Sequence, residues 1–200
     1  MTTDGDLAPA ANWGGPPVGC TRTRGHGRCY DTKGGRRIRP CGSETINIRT
    51  LRFIALVLAA LTVGMKLAHT LELPVKLEWG ADLYFPVQTA LYRYFAIFGP
   101  IVDLGAIIAL SVLVFQLRGK PAFTLTAIGL GSMLVSLAIW ALIVGPANAQ
   151  ITTWLTTHTV PADWMVWRAR WQYGQAGCFL FDLAGFCCAL LAALRDTPRA

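Results

Sequence analysis

Four long apolar runs constrain the fold of this chain more than any other feature of its sequence. They cover residues 51–73, 89–117, 121–144 and 168–194, with approximate ends, and the third contains no charged residue. Each run reaches the roughly 20 residues that a helix needs to cross a bilayer. Because the backbone of a spanning segment must satisfy its own hydrogen bonds in lipid, each run predicts an α-helix. The sequence therefore predicts an all-α fold, an integral membrane four-helix bundle.

The composition supports this class. Hydrophobic residues make up 54% of the 200 residues and charged residues only 14%, whereas charged residues are about 25% of a typical soluble domain. We therefore predict a multi-pass protein of the cell membrane, which is the inner membrane if the source is bacterial.

Residues 1–48 differ from the rest of the chain. They are rich in Gly, Pro, Arg and Thr and have no helical or strand periodicity, so they predict a disordered basic tail before a transmembrane domain at 49–196. Eight of the 18 Lys and Arg residues lie in residues 1–49. We expect this tail to touch anionic lipid and not nucleic acid, since Tyr30 is the one aromatic residue that lies among its basic ones. No cleaved signal peptide is expected.

Basic residues predict the orientation. Arg49 and Arg52 precede the first run, the RGKP link separates the second and third runs, and Arg195 and Arg199 follow the fourth. The positive-inside rule places all of them, and both termini, in the cytosol. Two larger outer loops, at about 74–88 and 145–167, are then expected on the opposite side. Six of the seven tryptophans lie at that outer end.

Polar side chains recur at steps of three and four on the predicted helices, which places them on common faces. Polar groups inside a membrane are costly and usually face the bundle interior. The stripes comprise His69, Glu72 and Lys76; Gln88, Tyr92, Phe95, Gly99 and Asp103; Ser132, Ser136, Trp140 and the following Asn148; and Arg168, Trp171, Gln175, Cys178 and Asp182. Together they predict a polar pocket in the outer half of the bundle, with His69 near its floor.

Each residue also has a structural interpretation. His69 could lock two helices through one hydrogen bond, and Arg168 and Arg170 could be interfacial anchors. Lys66 is expected to form an interhelical ion pair with Asp103 or Asp182. The convergence of so many polar groups at one depth favours a pocket for a ligand or substrate.

No cofactor or metal is predicted. The six cysteines include no C-x-x-C pair, and the spacing of Cys20, His26, Cys29 and Cys41 matches no common zinc module. A buried haem normally has paired axial ligands, whereas His69 is the one histidine within a predicted helix.

The segments AHTLELPVK, VQTALYRYF, GPANAQI and DWMVWRARWQYGQA resemble the anthrone-oxygenase-like family. These are small four-helix membrane proteins, many of them catalogued only as a domain of unknown function. The resemblance covers about residues 50–195 and matches the family's motif residues to His69, Asn148, Arg168, Arg170 and Trp171. It implies oxidation of polyketide anthrones to anthraquinones without metal or flavin. Many relatives have a histidine soon after the RxRW stretch, where this chain has Tyr173, Gly174 and Gln175.

This chemistry needs a base and a group that stabilises negative charge. We expect His69 to be the base, Glu72 to orient it, and Arg168 and Asn148 to hold the enolate oxygen. The expected substrate-binding residues are Gln88, Tyr92, Trp140, Arg170, Trp171 and Gln175. The expected partners are a hydrophobic small molecule and membrane lipid. Two alternatives remain: a non-catalytic binder of a lipid, quinone or other small hydrophobic ligand, and a partner of another membrane protein.

Overall fold

The computed structural model describes residues 47–196, and all regular structure in that range is helical. The predicted tail, apart from its last two residues, lies outside the described residues, as do its three cysteines. The helices are α1 (Ile48–Lys76), α2 (Ala81–Gln116), α3 (Phe123–Ile139), a π-helical segment (Trp140–Val144), α4 (Gly145–Thr157) and α5 (Trp164–Arg195). Four spans are long and apolar enough to cross a membrane, with α3, the π-helical segment and α4 forming one of them. The predicted all-α four-helix fold is confirmed, and the chain is a multi-pass integral membrane protein.

The four spans form a closed ring. α1 packs against α2 and α5, and α3 packs against the same two helices from the other side. The connections at 77–80 and 158–163 lie at one end of the bundle, which we name the aromatic end. The connection at 117–122 lies at the other end with the start of α1 and the end of α5, and we name it the basic end.

The two predicted outer loops are shorter in the structure than the sequence indicated. The first is only 77–80, and most of the second is helical because α4 runs to Thr157. The prediction ended each helix where hydropathy falls. In α4 the helix continues through polar residues, because the hydroxyl groups of Thr152, Thr153 and Thr157 donate to backbone carbonyls one turn earlier. α4 ends at Thr157, and the left-handed conformation of the following His158 (φ 52°) turns the chain so that the Thr159 N–H also bonds to the Trp154 carbonyl, at 3.2 Å.

The π-helical segment joins α3 to α4 without breaking the span. The Gly145 N–H bonds to the Trp140 carbonyl, five residues earlier. Pro146 follows at the start of α4 and has no N–H to continue the ordinary helical pattern. The widened turn therefore accommodates the proline, and it lies within the aromatic end.

Two buried clusters fill the bundle. The cluster near the basic end is made of small and aliphatic side chains, among them Ala55, Leu110 and Met133. The cluster at the aromatic end is built from rings, among them Tyr84 and Trp171. Large apolar side chains such as Phe53, Leu142 and Leu180 point outward, as the surface of a membrane protein requires.

α3 and α5 approach until their backbones touch. A Cβ added at Gly129 would lie 2.9 Å from the Gly185 carbonyl oxygen, and one added at Gly185 would lie 2.9 Å from the Gly129 oxygen. Small residues allow this close packing in membranes, where dispersion contacts between helices supply much of the stability.

Candidate functional site

The buried face of α1 changes from apolar to polar along its length. Leu51, Ala55 and Ala59 are buried near the basic end, and the same face continues toward the aromatic end with Thr62, Lys66, His69 and Lys76. Steps of three and four keep these side chains on one side of the helix. α1 therefore places two lysines and a histidine in the interior of a membrane bundle, where polar groups require partners or a function.

His69 lies among three aromatic rings. Its ring centroid is 4.8 Å from that of Tyr92, 5.0 Å from that of Phe95 and 5.2 Å from that of Trp171. The side chain is buried, and Nδ1 has no hydrogen-bond partner within residues 47–196. An imidazole nitrogen without a partner is an unusual feature of a buried site, because leaving a buried polar atom unbonded is unfavourable.

Lys76 and Glu72 hold the other side of Tyr92. Lys76 Nζ lies 2.9 Å from Glu72 Oε2 and 3.7 Å from the centroid of the Tyr92 ring. The Tyr92 hydroxyl accepts a hydrogen bond from Lys76 and donates one to Glu72. Glu72 is therefore bonded to Tyr92 and Lys76, not to His69, so its expected role in orienting the imidazole is not seen. Lys76 lies four residues after Glu72 on the same face of α1, and its ammonium pairs with the Glu72 carboxylate.

Asn148 at the start of α4 bonds to Trp171 of α5. The Trp171 Nε1–H donates to Asn148 Oδ1 over 2.7 Å. Indole nitrogen is only a donor, so the atom that accepts must be the amide oxygen. The two hydrogens of the Asn148 amide nitrogen are then directed elsewhere and can donate to another acceptor.

Arg168 lies one turn from Trp171 toward the aromatic end. Its guanidinium donates to the Trp79 carbonyl and stacks 4.6 Å from the centroid of the Trp164 ring. Arg168 therefore ties the 77–80 connection to α5. These contacts of Arg168 within residues 47–196 do not include His69.

The remaining predicted site residues divide into buried and exposed groups. Gln88 accepts from Lys76 Nζ at 3.5 Å, the long limit for a hydrogen bond. Gln175 is buried, and its Oε1 has no partner among the described residues. Trp140, at the start of the π-helical segment, packs against the aromatic cluster. Arg170 is exposed and stacks on Trp167 at 5.0 Å, which fits the interfacial-anchor interpretation better than the substrate-binding one.

A second polar group lies closer to the middle of the bundle. Lys66 Nζ is 2.7 Å from Asp182 Oδ2, 3.2 Å from Asp103 Oδ2 and 3.1 Å from Ser136 Oγ. The Ser136 hydroxyl donates to Asp182 Oδ2 over 2.8 Å. These four residues come from α1, α2, α3 and α5, and we name them the lysine centre. Lys66 was expected to pair with one of two aspartates, and it contacts both.

A cavity of about 290 Å³ lies at the aromatic end between α2 and the end of α4. Phe85, Pro86, Trp154 and His158 are among its lining residues. The three rings that pack against His69 are not among the residues lining this cavity, so the cavity is separate from the ring cluster around the imidazole.

Comparison with known proteins assigns no family. No family model matches the chain, and neither a curated protein nor a solved structure matches it. The anthrone-oxygenase-like resemblance therefore stays a prediction based on the sequence segments. Within residues 47–196, no group of three or more His, Cys, Asp or Glu side chains is placed to hold a metal ion.

The sequence-based site omitted Lys76 and Phe95 from its functional residues. Both lie in the predicted polar stripes, seven residues after His69 and three after Tyr92. Their spacing was the available signal. A lysine near the predicted end of a span, however, is ordinarily an interfacial anchor, and a phenylalanine ordinarily faces lipid.

The arrangement around His69 has the groups that proton abstraction requires. A neutral imidazole accepts a proton, and three rings surround it. For developing negative charge, the Asn148 amide offers donors and the Lys76 ammonium offers a positive charge, although its hydrogens are directed to Glu72, Tyr92 and Gln88. The three rings pack directly against the imidazole, so an aromatic ligand would have to displace one of these side chains to reach Nδ1.

Proposed function

We propose that this membrane protein binds a flat hydrophobic molecule at His69 and oxygenates it without a metal or flavin. The observation that carries the proposal is the buried His69, surrounded by three rings and with an unbonded Nδ1. A base held in an apolar, ring-lined site suits a substrate that is itself aromatic and weakly acidic. The resemblance to anthrone oxygenases supports the same substrate class.

The proposed reaction begins with proton transfer. An anthrone has a CH₂ group activated by its rings and its carbonyl, and His69 Nδ1 takes one of its protons. The resulting enolate forms a C–O bond with O₂ to give a peroxide, which accepts a proton. Loss of the second C–H proton and cleavage of the O–O bond then give the quinone carbonyl and water. Anthrone and O₂ thus give anthraquinone and water, with both oxygen atoms accounted for.

Lys76 and Asn148 are the proposed stabilisers of the enolate oxygen, Lys76 through its positive charge and Asn148 through its amide hydrogens. Lys76 Nζ already lies against the Tyr92 ring that contacts His69, and Asn148 has amide hydrogens not used by Trp171. Donors fixed in a water-excluded site stabilise developing charge without reorganisation. Arg168 has a positioning role in this proposal, because its guanidinium is bonded to Trp79.

Phe95 is the proposed entry point. It is half-buried, whereas the neighbouring Tyr94 and Ile97 are exposed on the outer surface of α2. Its ring therefore separates His69 from the lipid-facing side of the bundle. Rotation of Phe95 would admit an apolar substrate from the membrane without passage through water.

Oxygen uptake by purified protein in lipid vesicles, supplied with a simple anthrone, tests the proposal. We expect uptake with formation of the quinone, and loss of both in His69→Ala. His158→Ala is the matched control, since His158 is an exposed histidine at the end of α4. Equal uptake by His69→Ala and the unaltered protein, at equal abundance, would overturn the assignment of His69.

A non-catalytic binder of a small hydrophobic ligand is the second candidate. The cavity beside Phe85 and Trp154 favours it, because its volume is near the lower end of ligand pockets. A binder that uses this cavity predicts saturable anthrone uptake by the vesicles that is weakened by His158→Ala, since His158 lines the cavity, and unchanged by His69→Ala, with no quinone from any of these proteins. Quinone formation by the unaltered protein would exclude this second candidate.

A further inference from the structure

The lysine centre lies deep within the membrane region. At 1.5 Å per residue, Ser136 is about 20 Å along its span from Phe123, and Asp182 is about 20 Å from Arg195. Both distances start at the basic end of the bundle. The hydrocarbon core of a bilayer is about 30 Å thick, so this group lies inside it and not at its surface.

The hydrogen-bond donors of the lysine centre are fully used. An ammonium group has three hydrogens, and Lys66 directs them to Asp182, Asp103 and Ser136. The Ser136 hydroxyl donates its hydrogen to Asp182. The second oxygen of each carboxyl group, Oδ1 of Asp103 and Oδ1 of Asp182, is buried without any partner in residues 47–196. Two acceptors therefore remain after every donor has been used.

The formal charge is also unbalanced. One lysine faces two aspartates, which gives the centre a charge of −1 if both carboxyl groups are ionised. Asp182 is 0% exposed and Asp103 is 8% exposed. An uncompensated charge at this depth is strongly disfavoured. Addition of one proton would neutralise the centre and supply the missing donor at the same time.

We propose that the lysine centre is a binding site for one proton, shared by the carboxyl groups of Asp103 and Asp182. The two carboxyl groups interact through the same ammonium, so the proton belongs to the pair. The bonding is asymmetric: Asp182 Oδ2 accepts from both Lys66 and Ser136, whereas Asp103 accepts from Lys66 alone. Asp182 is therefore the more strongly bonded partner of Lys66, and removal of the Asp103 carboxyl group would leave a neutral Lys66–Asp182 pair that needs no added proton.

A metal cation fits this centre less well than a proton. The Lys66 ammonium already occupies the position between the two Oδ2 atoms, and hard cations take about six or more oxygen ligands. The other groups facing the centre are the Ser136 hydroxyl and the Cys178 thiol, which donates to the Ser136 carbonyl over 3.4 Å. His69 follows Lys66 by one turn on α1. These groups do not provide the missing oxygen ligands.

Infrared difference spectroscopy of the protein in lipid vesicles, without any substrate, tests this proposal. We expect a carboxyl C=O stretching band of a protonated acid at neutral pH that shifts on transfer to D₂O. Asp103→Asn should abolish the band, because its amide keeps the side-chain shape but binds no proton. Asp82→Asn is the matched control on the same helix, since Asp82 is exposed near the start of α2, and it should leave the band unchanged.

Three results would overturn the proposal. Absence of the band from the unaltered protein at neutral and mildly acidic pH would mean that the centre binds no proton. Loss of the band on adding Na⁺ in place of choline would identify a cation site. Persistence of the band in Asp103→Asn would place the proton elsewhere. Because no substrate is present, these results are independent of the proposed oxygenase activity.

Discussion

Lys66 of α1 and Asp182 of α5 form an ion pair, with 2.7 Å between Nζ and Oδ2, at a point where residues of all four spans meet. The two side chains are 10% and 0% exposed. Buried ion pairs add little net stability compared with apolar pairs, but removal of one partner is strongly destabilising. We therefore expect the pair to act mainly on specificity, by favouring the helix faces that bring Lys66 and Asp182 together.

Substitution of Lys66 by Met should destabilise the protein by about 3 to 5 kcal/mol, because it leaves two buried carboxyl groups without their counter-ion. Unfolding in mixed micelles with increasing SDS measures the loss. Lys120→Met is the control, since Lys120 is exposed in the connection at the basic end, and it should change stability by about 0.5 kcal/mol or less. Equal losses in both variants would show that the ion pair does not support the bundle.

The sequence predicted the spans and the buried polar face because both follow from the membrane environment. Apolar length determines a span, and Lys66 could only be paired if it faced Asp103 or Asp182. The sequence did not reveal that Lys66 contacts both aspartates, because helix rotation and depth depend on packing such as that of Gly129 on Gly185.

The candidate site was predicted less completely than the fold. The spacing of side chains at steps of three and four identified His69, Tyr92 and Trp171, which the structure brings into contact. The same spacing did not indicate that Glu72 pairs with Lys76, because a local ion pair on α1 depends on side-chain conformation. It also did not indicate that Arg170 is exposed, since Arg170 lies next to the inward-facing Trp171.

Gly129→Ala should separate α3 from α5 and destabilise the protein by about 1 to 3 kcal/mol, the usual range for overpacking. The added methyl would lie 2.9 Å from the Gly185 carbonyl oxygen, and a backbone atom cannot move aside alone. Gly131→Ala is the control on the same helix, since nothing lies within 4 Å of the Cβ it would add.

The control should be neutral or stabilising by up to about 1 kcal/mol, because alanine is the better helix former. SDS-induced unfolding compares the two variants directly. If Gly129→Ala were as stable as Gly131→Ala, the close contact between α3 and α5 would not exist in the membrane.

Phe95→Ala should expose the imidazole of His69, because the Phe95 ring packs 5.0 Å from it and is only half-buried. The measurement is the rate of carbethoxylation by diethyl pyrocarbonate. The other two histidines, His26 and His158, are replaced by Gln in all proteins compared, so that His69 is the one histidine whose carbethoxylation is followed. We expect a rate increase of about tenfold, which corresponds to about 1.4 kcal/mol in accessibility.

Phe98→Ala is the matched control for this measurement. Phe98 lies one turn further along α2 and is 58% exposed, so its removal should leave the rate unchanged. An equal acceleration in both variants would indicate general loosening of α2, and no acceleration in Phe95→Ala would exclude this residue as the entry point.

Asn148→Asp distinguishes packing from catalysis at the Trp171 contact. A carboxylate oxygen still accepts from the Trp171 Nε1–H, so the bond of 2.7 Å is retained, whereas both amide hydrogens are lost. If Asn148 stabilises the enolate oxygen, turnover should fall about 100- to 1,000-fold, the usual effect of removing one such donor. Oxygen uptake with an anthrone measures turnover, and SDS-induced unfolding measures stability.

Two further variants complete this test. Asn148→Ala removes the acceptor as well and should also lower stability by about 1 kcal/mol, because the N–H of the buried Trp171 indole loses its partner. Gln150→Glu makes the same amide-to-acid change on an exposed residue of α4 and should preserve both turnover and stability. Full turnover by Asn148→Asp would contradict a direct role for the amide hydrogens, and the contact with Trp171 would then serve packing alone.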